Sequence, residues 1–148
     1  MKPIINKEKI IVSACLLGDK CTYKASDNYN EKVIEYLKDY DVIKVCPEVL
    51  GGLSVPRTPC EICENKVIDQ NGENKTLEYE LGAKKVLELA NKYHIRKAIL
   101  KSKSPSCGTG EIYDGTFTHR IVKGDGICAK ALKEANIEVI NSDKIGND

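Results

Sequence analysis

KIIVSACLLG, residues 9–18, decides the fold. Ile10, Ile11 and Val12 form a short β-branched run, closed by the small residues Ser13 and Ala14. A run this short and apolar predicts a buried strand. Moving outward, residues 29–40 (YNEKVIEYLKDY) place Val33, Ile34, Leu37 and Tyr40 at helical spacing, and residues 41–45 (DVIKV) predict a second strand. Residues 51–75 read as a Gly- and Pro-rich connection, with one short strand at 66–68 and a turn at Asn71-Gly72. A long helix follows over 77–94, with Leu81, Val86, Leu89, Ala90 and Tyr93 as its apolar positions. Then come a strand at 96–100, a hairpin or tight turn around 112–117, a helix at 127–135 and a strand at 137–140. Alternation of this kind predicts an α/β chain: a Rossmann-like three-layer domain, with a mostly parallel sheet and helices on both faces. All 148 residues fit one domain.

Composition removes several function classes. Charged residues make up 30% of the chain and the net charge is +1, so no global field favours nucleic acid or a membrane surface. Aromatic content is 5% with no Trp, which leaves little for stacking single-stranded RNA. There is no run of about 18 apolar residues to span a bilayer. The first residues, MKPIINKEK, break their apolar pattern with Asn6, Lys7 and Glu8, unlike a secretory leader. The expected setting is the cytoplasm, and seven cysteines then need a reason other than disulfides.

Three of them share a position. Cys15 follows the first strand, Cys46 the second, and Cys107 lies in the loop after the third. The carboxyl ends of parallel strands face one side of a sheet, and ligands bind there. Burial alone gives no reason for thiols in those three loops. Three thiolates at one rim suit a soft metal centre: zinc with one open position, or an iron–sulfur cluster with one iron lacking a protein ligand. Pro47 and Pro105 stiffen two of the loops, and Gly18, Gly51, Gly52 and Gly108 leave room for backbone to approach a bulky inorganic group. Glu48 stands two residues after Cys46 and could move a proton; Ser104 and Ser106 could donate hydrogen bonds to sulfur or substrate.

VSACLLG (12–18), CPEVLGGLSVPRTP (46–59), KSKSPSCG (101–108), IYDGTF (112–117) and GDGI (124–127) together resemble the thiouracil desulfurase family, in the family's order and over nearly the whole chain. The resemblance implies a 4Fe-4S cluster held by Cys15, Cys46 and Cys107 with one open iron. It implies non-redox replacement of the sulfur of a thiolated pyrimidine, such as 2-thiouracil, by oxygen from water, with release of hydrosulfide. The acid–base residues it carries over are Glu48 and Ser104, with Ser106 as a neighbour of the same site. The partner it implies is a small thiolated base.

Other features are weighed beside this. Arg57 in VPRTP is a candidate for binding a substrate edge, or a surface ion pair. Cys60-Glu61-Ile62-Cys63 departs from the family pattern; it reads as incidental thiols, a local metal site or a redox pair. The competing functions are therefore a non-catalytic zinc or iron–sulfur module and a thiol redox protein using Cys60 and Cys63. Cys21 reads as a bystander close enough to Cys15 to be oxidised with it, and Cys128 as helix packing. Gly124-Asp125-Gly126 is expected to cap a helix.

Overall fold

The computed structural model describes residues 7–146. The first six residues, with their broken apolar pattern, lie outside that range. In chain order the elements are β1 (Glu8–Ser13), α1 (Glu31–Tyr36), β2 (Tyr40–Val45), α2 (Pro47–Leu50), β3 (Cys60–Cys63), β4 (Lys66–Asp69), α3 (Thr76–Lys92), β5 (Lys97–Leu100), β6 (Glu111–Tyr113), β7 (Ile121–Lys123), α4 (Ile127–Glu134) and β8 (Glu138–Asn141). A four-stranded parallel sheet runs in the order β2-β1-β5-β8. It is the α/β layered architecture expected.

β1 sits inside that sheet, which explains its composition. A strand covered on both faces has no position for a polar residue, so it reads as a continuous apolar run. Ile10, Ile11 and Val12 are all fully buried, each contributing about 1.5–3 kcal/mol. Successive side chains face opposite ways. Ile10, Val12 and Ile99 pack with Val33 of α1 and Leu37 just beyond it; Ile11, Ala98 and Leu100 pack with Val86 of α3 and Leu132 of α4. The chain leaves β1 outward to β2, then returns to β5 on the other side of β1. The strand order therefore reverses between β1 and β5, and a crevice opens at their carboxyl ends.

The long helix buries Val86 and Ala90 as its spacing suggests, but its inward face also takes in residues the spacing did not mark. Leu81 is 44% exposed and Tyr93 37%, whereas Tyr79, Gly82, Ala83, Val86 and Ala90 are buried. The cause is a backbone contact. A Cβ on Gly82 would stand 1.9 Å from the carbonyl oxygen of Pro47, and one on Gly51 the same distance from that of Glu78. α2 and α3 thus meet main chain to main chain, and only small residues fit between them. Gly51 serves this contact, not an approach to the thiol rim.

Two antiparallel hairpins lie outside the sheet. β3 pairs with β4 across Glu64-Asn65, both with positive φ, the conformation of a two-residue hairpin turn. β3 carries no strong strand signal, because two of its four residues are cysteines. β6 pairs with β7, so the turn expected at 112–117 is the first strand and part of the loop of a larger hairpin. No helix among the described residues is long and apolar enough to cross a membrane.

Candidate active site

A cavity of about 640 Å³ opens where β1, β2 and β5 end. Cys15, Cys46 and Cys107 all line it, and so do Glu48, Ser104 and Ser106. Two further thiols that sequence reading set aside, Cys21 and Cys60, line it as well. All seven cysteines are free.

Cys15 lies in the 3-10 turn Ala14–Leu17 that continues β1, and Ser13 just before it accepts a hydrogen bond from Lys101 N at 2.9 Å, tying the end of β1 to the end of β5. Cys46 precedes α2, with Pro47 at the first helical position, where its missing N–H costs nothing. Cys107 is held from two sides. Ser104 Oγ accepts from the backbone N–H of Ser106 at 3.1 Å and of Cys107 at 3.0 Å, closing a tight turn. The carbonyl of Pro105 accepts from Ile127 N at 2.8 Å, and that of Ser106 from Cys128 N at 2.9 Å, so the turn sits on the first N–H groups of α4. Gly126 caps that helix with no side chain; a Cβ there would stand 2.5 Å from the carbonyl carbon of Ser106. Asp125 caps nothing. Its carboxylate accepts from Gly110 N at 2.8 Å and from Lys133 Nζ at 2.8 Å.

The serines divide the work. Ser106 is buried, and its hydroxyl donates to Cys107 Sγ at 3.6 Å. Ser102 is buried too, taken up with Lys101 and Ser142. Ser104 is partly accessible, and its hydroxyl lies 3.0 Å from that of Ser106.

Glu48 is held at both oxygens. Tyr79 donates its hydroxyl to Oε1 at 2.7 Å, and Arg57 pairs with Oε2 through Nη2. Arg57 also donates to the carbonyls of Ser54 and Cys21, each at 3.0 Å, and its side chain is only 6% exposed. Arg57 is not among the residues lining the cavity. Its nitrogens are directed at Glu48 and two carbonyls behind the wall, so it meets the site through Glu48. This is not a surface ion pair.

The thiols differ in character. The neighbouring Cys21 draws the Cys15 and Cys46 thiols below their ordinary value, Cys46 to about 7 against its burial, and the Cys46 thiol donates to the Cys21 carbonyl at 3.8 Å. Burial pushes Cys107 well up, although Ser106 donates to its sulfur. Cys128 is buried in the helix core, pushed up to about 12 by burial alone, as packing predicts. Cys60 and Cys63 are three residues apart on one strand, so they face opposite sides, and only Cys60 reaches the cavity. They do not form a redox pair. Sequence reading missed Cys60 as a wall residue because β3 itself was unrecognised.

Among the described residues, no group of three His, Cys, Asp or Glu side chains is arranged to hold a metal ion. Cys15, Cys46 and Cys107 instead border a common volume. A soft donor set spread round a space fits a polynuclear iron–sulfur group better than one tetrahedral zinc.

Known proteins resemble this chain in sequence and in fold. The family model described as 2-thiouracil desulfurase matches residues 10–144. YbbK of Bacillus subtilis (strain 168) is 37% identical, over 93% of this chain and 98% of its own. Among solved structures, the [4Fe-4S]-dependent thiouracil desulfidase TudS superposes with a TM-score of 0.86 at 37% identity, covering 94% of this chain and 93% of that one.

Proposed function

The chain belongs to the 2-thiouracil desulfurase family, and from that premise we propose that it replaces the sulfur of a thiolated pyrimidine by oxygen from water. The observation that carries the reading is the meeting of Cys15, Cys46 and Cys107 with Glu48 and Ser104 round one cavity. Cys15, Cys46 and Cys107 would hold a [4Fe-4S] cluster through three thiolates, one fewer than its four irons. When bound, the cluster supplies a Lewis acid for the thiocarbonyl sulfur.

The protein's own residues manage the protons. The reaction converts C=S and water into C=O and hydrogen sulfide, with no change of oxidation state. Glu48 accepts a proton from water. Arg57 and Tyr79 occupy one lone pair on each of its oxygens and so fix the direction of those that remain. Ser104 passes a proton to a ring nitrogen: its oxygen is anchored by two backbone N–H groups, and its own proton, which rests on Ser106 Oγ at 3.0 Å before substrate binds, turns to the bound base. Ser106 is committed to the Cys107 sulfur, which favours Ser104 as the relay. A small thiolated base is the partner that fits, and a reducing cytoplasm suits five free thiols in one cavity.

Anaerobic purification with iron and sulfide analysis tests this. About four iron and four sulfide per chain are expected, lost in Cys107→Ala. Glu48→Gln is expected to keep the cluster and lose turnover of 2-thiouracil by about 10²-fold or more. Zinc in place of iron, or full turnover by the Gln variant, would overturn the proposal.

A further inference from the structure

Glu61 stands on β3 at the cavity wall and is only 9% exposed. Its Oε1 accepts the backbone N–H of Gly115 at 3.0 Å and that of Phe117 at 3.1 Å. Both donors belong to the loop that joins β6 to β7. A carboxylate holding two main-chain N–H groups makes charge-assisted bonds, stronger than neutral ones. The same loop lies against β3 at Gly115, where a Cβ would stand 2.8 Å from the carbonyl oxygen of Ile62. One hairpin thus holds the loop of the other, by a side chain and by close backbone contact.

What the loop carries gives a reason for holding it. Phe117, the one phenylalanine of the chain, lines the cavity, and so do Tyr113 and His119. Tyr113 and His119 meet edge to face, with 6.1 Å between ring centres. Phe117 has φ 59° and His119 φ 63°. Bulky side chains rarely adopt that left-handed backbone, and it persists where the surroundings enforce it. The loop's own bonds close its base: Asp114 N donates to the Arg120 carbonyl at 2.9 Å, and Asp114 Oδ1 accepts from Thr116 N at 2.9 Å. The Phe117 N–H goes to Glu61 instead. Aromatic side chains lining a cavity give a flat heteroaromatic ring a surface to stack on.

We propose that Glu61 is a positioning residue for the substrate ring: it holds the β6–β7 loop so that Phe117 forms the ring-binding wall of the cavity. The inference rests on the desulfuration reading above and adds to it how the pyrimidine ring, as distinct from its sulfur, is gripped. Glu61 belongs to the segment 60–63, outside the stretches that carry the family resemblance.

The test uses anaerobically reconstituted wild type, Glu61→Ala, Glu61→Gln, Phe117→Leu and the Glu61→Ala/Phe117→Leu double variant. The readouts are iron content, steady-state turnover of 2-thiouracil and inhibition by uracil, which has the ring without the sulfur. In Glu61→Ala the KM for 2-thiouracil is expected to rise about tenfold, with kcat and iron content near wild type, and the inhibition constant of uracil to rise in parallel. Glu61→Gln keeps an acceptor oxygen and is expected to stay within about threefold of wild type. Phe117→Leu is expected to raise both constants, and Glu61→Ala to add little in that background, because the two act through one wall. Should Glu61→Ala not fold, the same comparison is made with Glu61→Asp, whose shorter arm falls short of the two N–H groups. Unchanged constants in the shortened variant overturn the proposal. So do full additivity with Phe117→Leu, or loss of iron in place of a rise in KM. Wild type that turns over no 2-thiouracil refutes the underlying reading and this one with it, a failure visible before any variant is compared.

Discussion

Cys46 and Cys107 stand at the same end of the sheet, on loops built by opposite means. The Cys46 loop is backed by main chain: Gly51 and Gly82 let α2 and α3 touch through their carbonyls. The Cys107 loop is held by polar contacts, with Ser104 closing the turn and α4 receiving its carbonyls. Backbone contact leaves no space for a side chain, while hydrogen bonds can be removed singly. The first loop should therefore fail abruptly and the second by degrees.

The hardest test of that contrast is Gly82→Ala. The added methyl meets the Pro47 carbonyl at 1.9 Å, and backbone cannot yield as a flexible side chain does. A loss of about 3 kcal/mol in denaturant unfolding is expected, despite the gain of roughly 1 kcal/mol in helix propensity. A variant as stable as wild type would show that the α2–α3 contact is not what places Cys46 and Glu48.

Gly126→Ala probes the other loop. Its methyl meets main chain as well, but at 2.5 Å from the Ser106 carbonyl carbon the overlap is milder than the 1.9 Å at Gly82. The expected cost is smaller, about 1–2 kcal/mol, with iron retention falling before the fold does. Iron held as firmly as in wild type would break the link between α4 and Cys107. Tyr79→Phe comes next. It removes one donor from the Glu48 carboxylate but leaves Arg57 in place. A hydrogen bond to a charged group contributes about 1.5 kcal/mol, so kcat should fall roughly tenfold with iron unchanged. Loss of iron from this variant would mean that Tyr79 supports the ligand loops and not the carboxylate.

Much of this was legible in residues, and the limits have physical causes. The sheet could be read because β1 is covered on both faces, which forces an unbroken apolar run. The convergence of Cys15, Cys46 and Cys107 followed from parallel topology, since each trails a strand. The inward face of α3 was legible in part: Val86 and Ala90 are buried as their spacing predicts, but the contact with α2 is set by Gly82, and glycine carries no periodic signal. Arg57 was legible as a site residue but not as the partner of Glu48, since the two stand nine positions apart in the chain.

The gentlest member of the series concerns the far end of the Cys107 loop. Asp125 links Gly110 N to Lys133 of α4. Burial raises its carboxyl pKa, but the hydrogen bond from Lys133 and that from Gly110 N outweigh this, and the net direction is down. A depressed folded-state pKa contributes stability above the unfolded value of about 3.9, and that contribution is lost as pH falls through the folded value. The pair is partly exposed, so solvent screens it and the contribution should be no more than about 0.5–1 kcal/mol. Wild type should exceed Asp125→Asn by that amount in urea unfolding at pH 7, and by less at pH 3. The direction separates two readings of the loop. A gap that narrows in acid means that the charge on Asp125 ties the loop to α4. A gap that persists at pH 3 means that the Gly110 N–H is the contact that matters, and the polar side of the comparison then rests on main-chain donors after all.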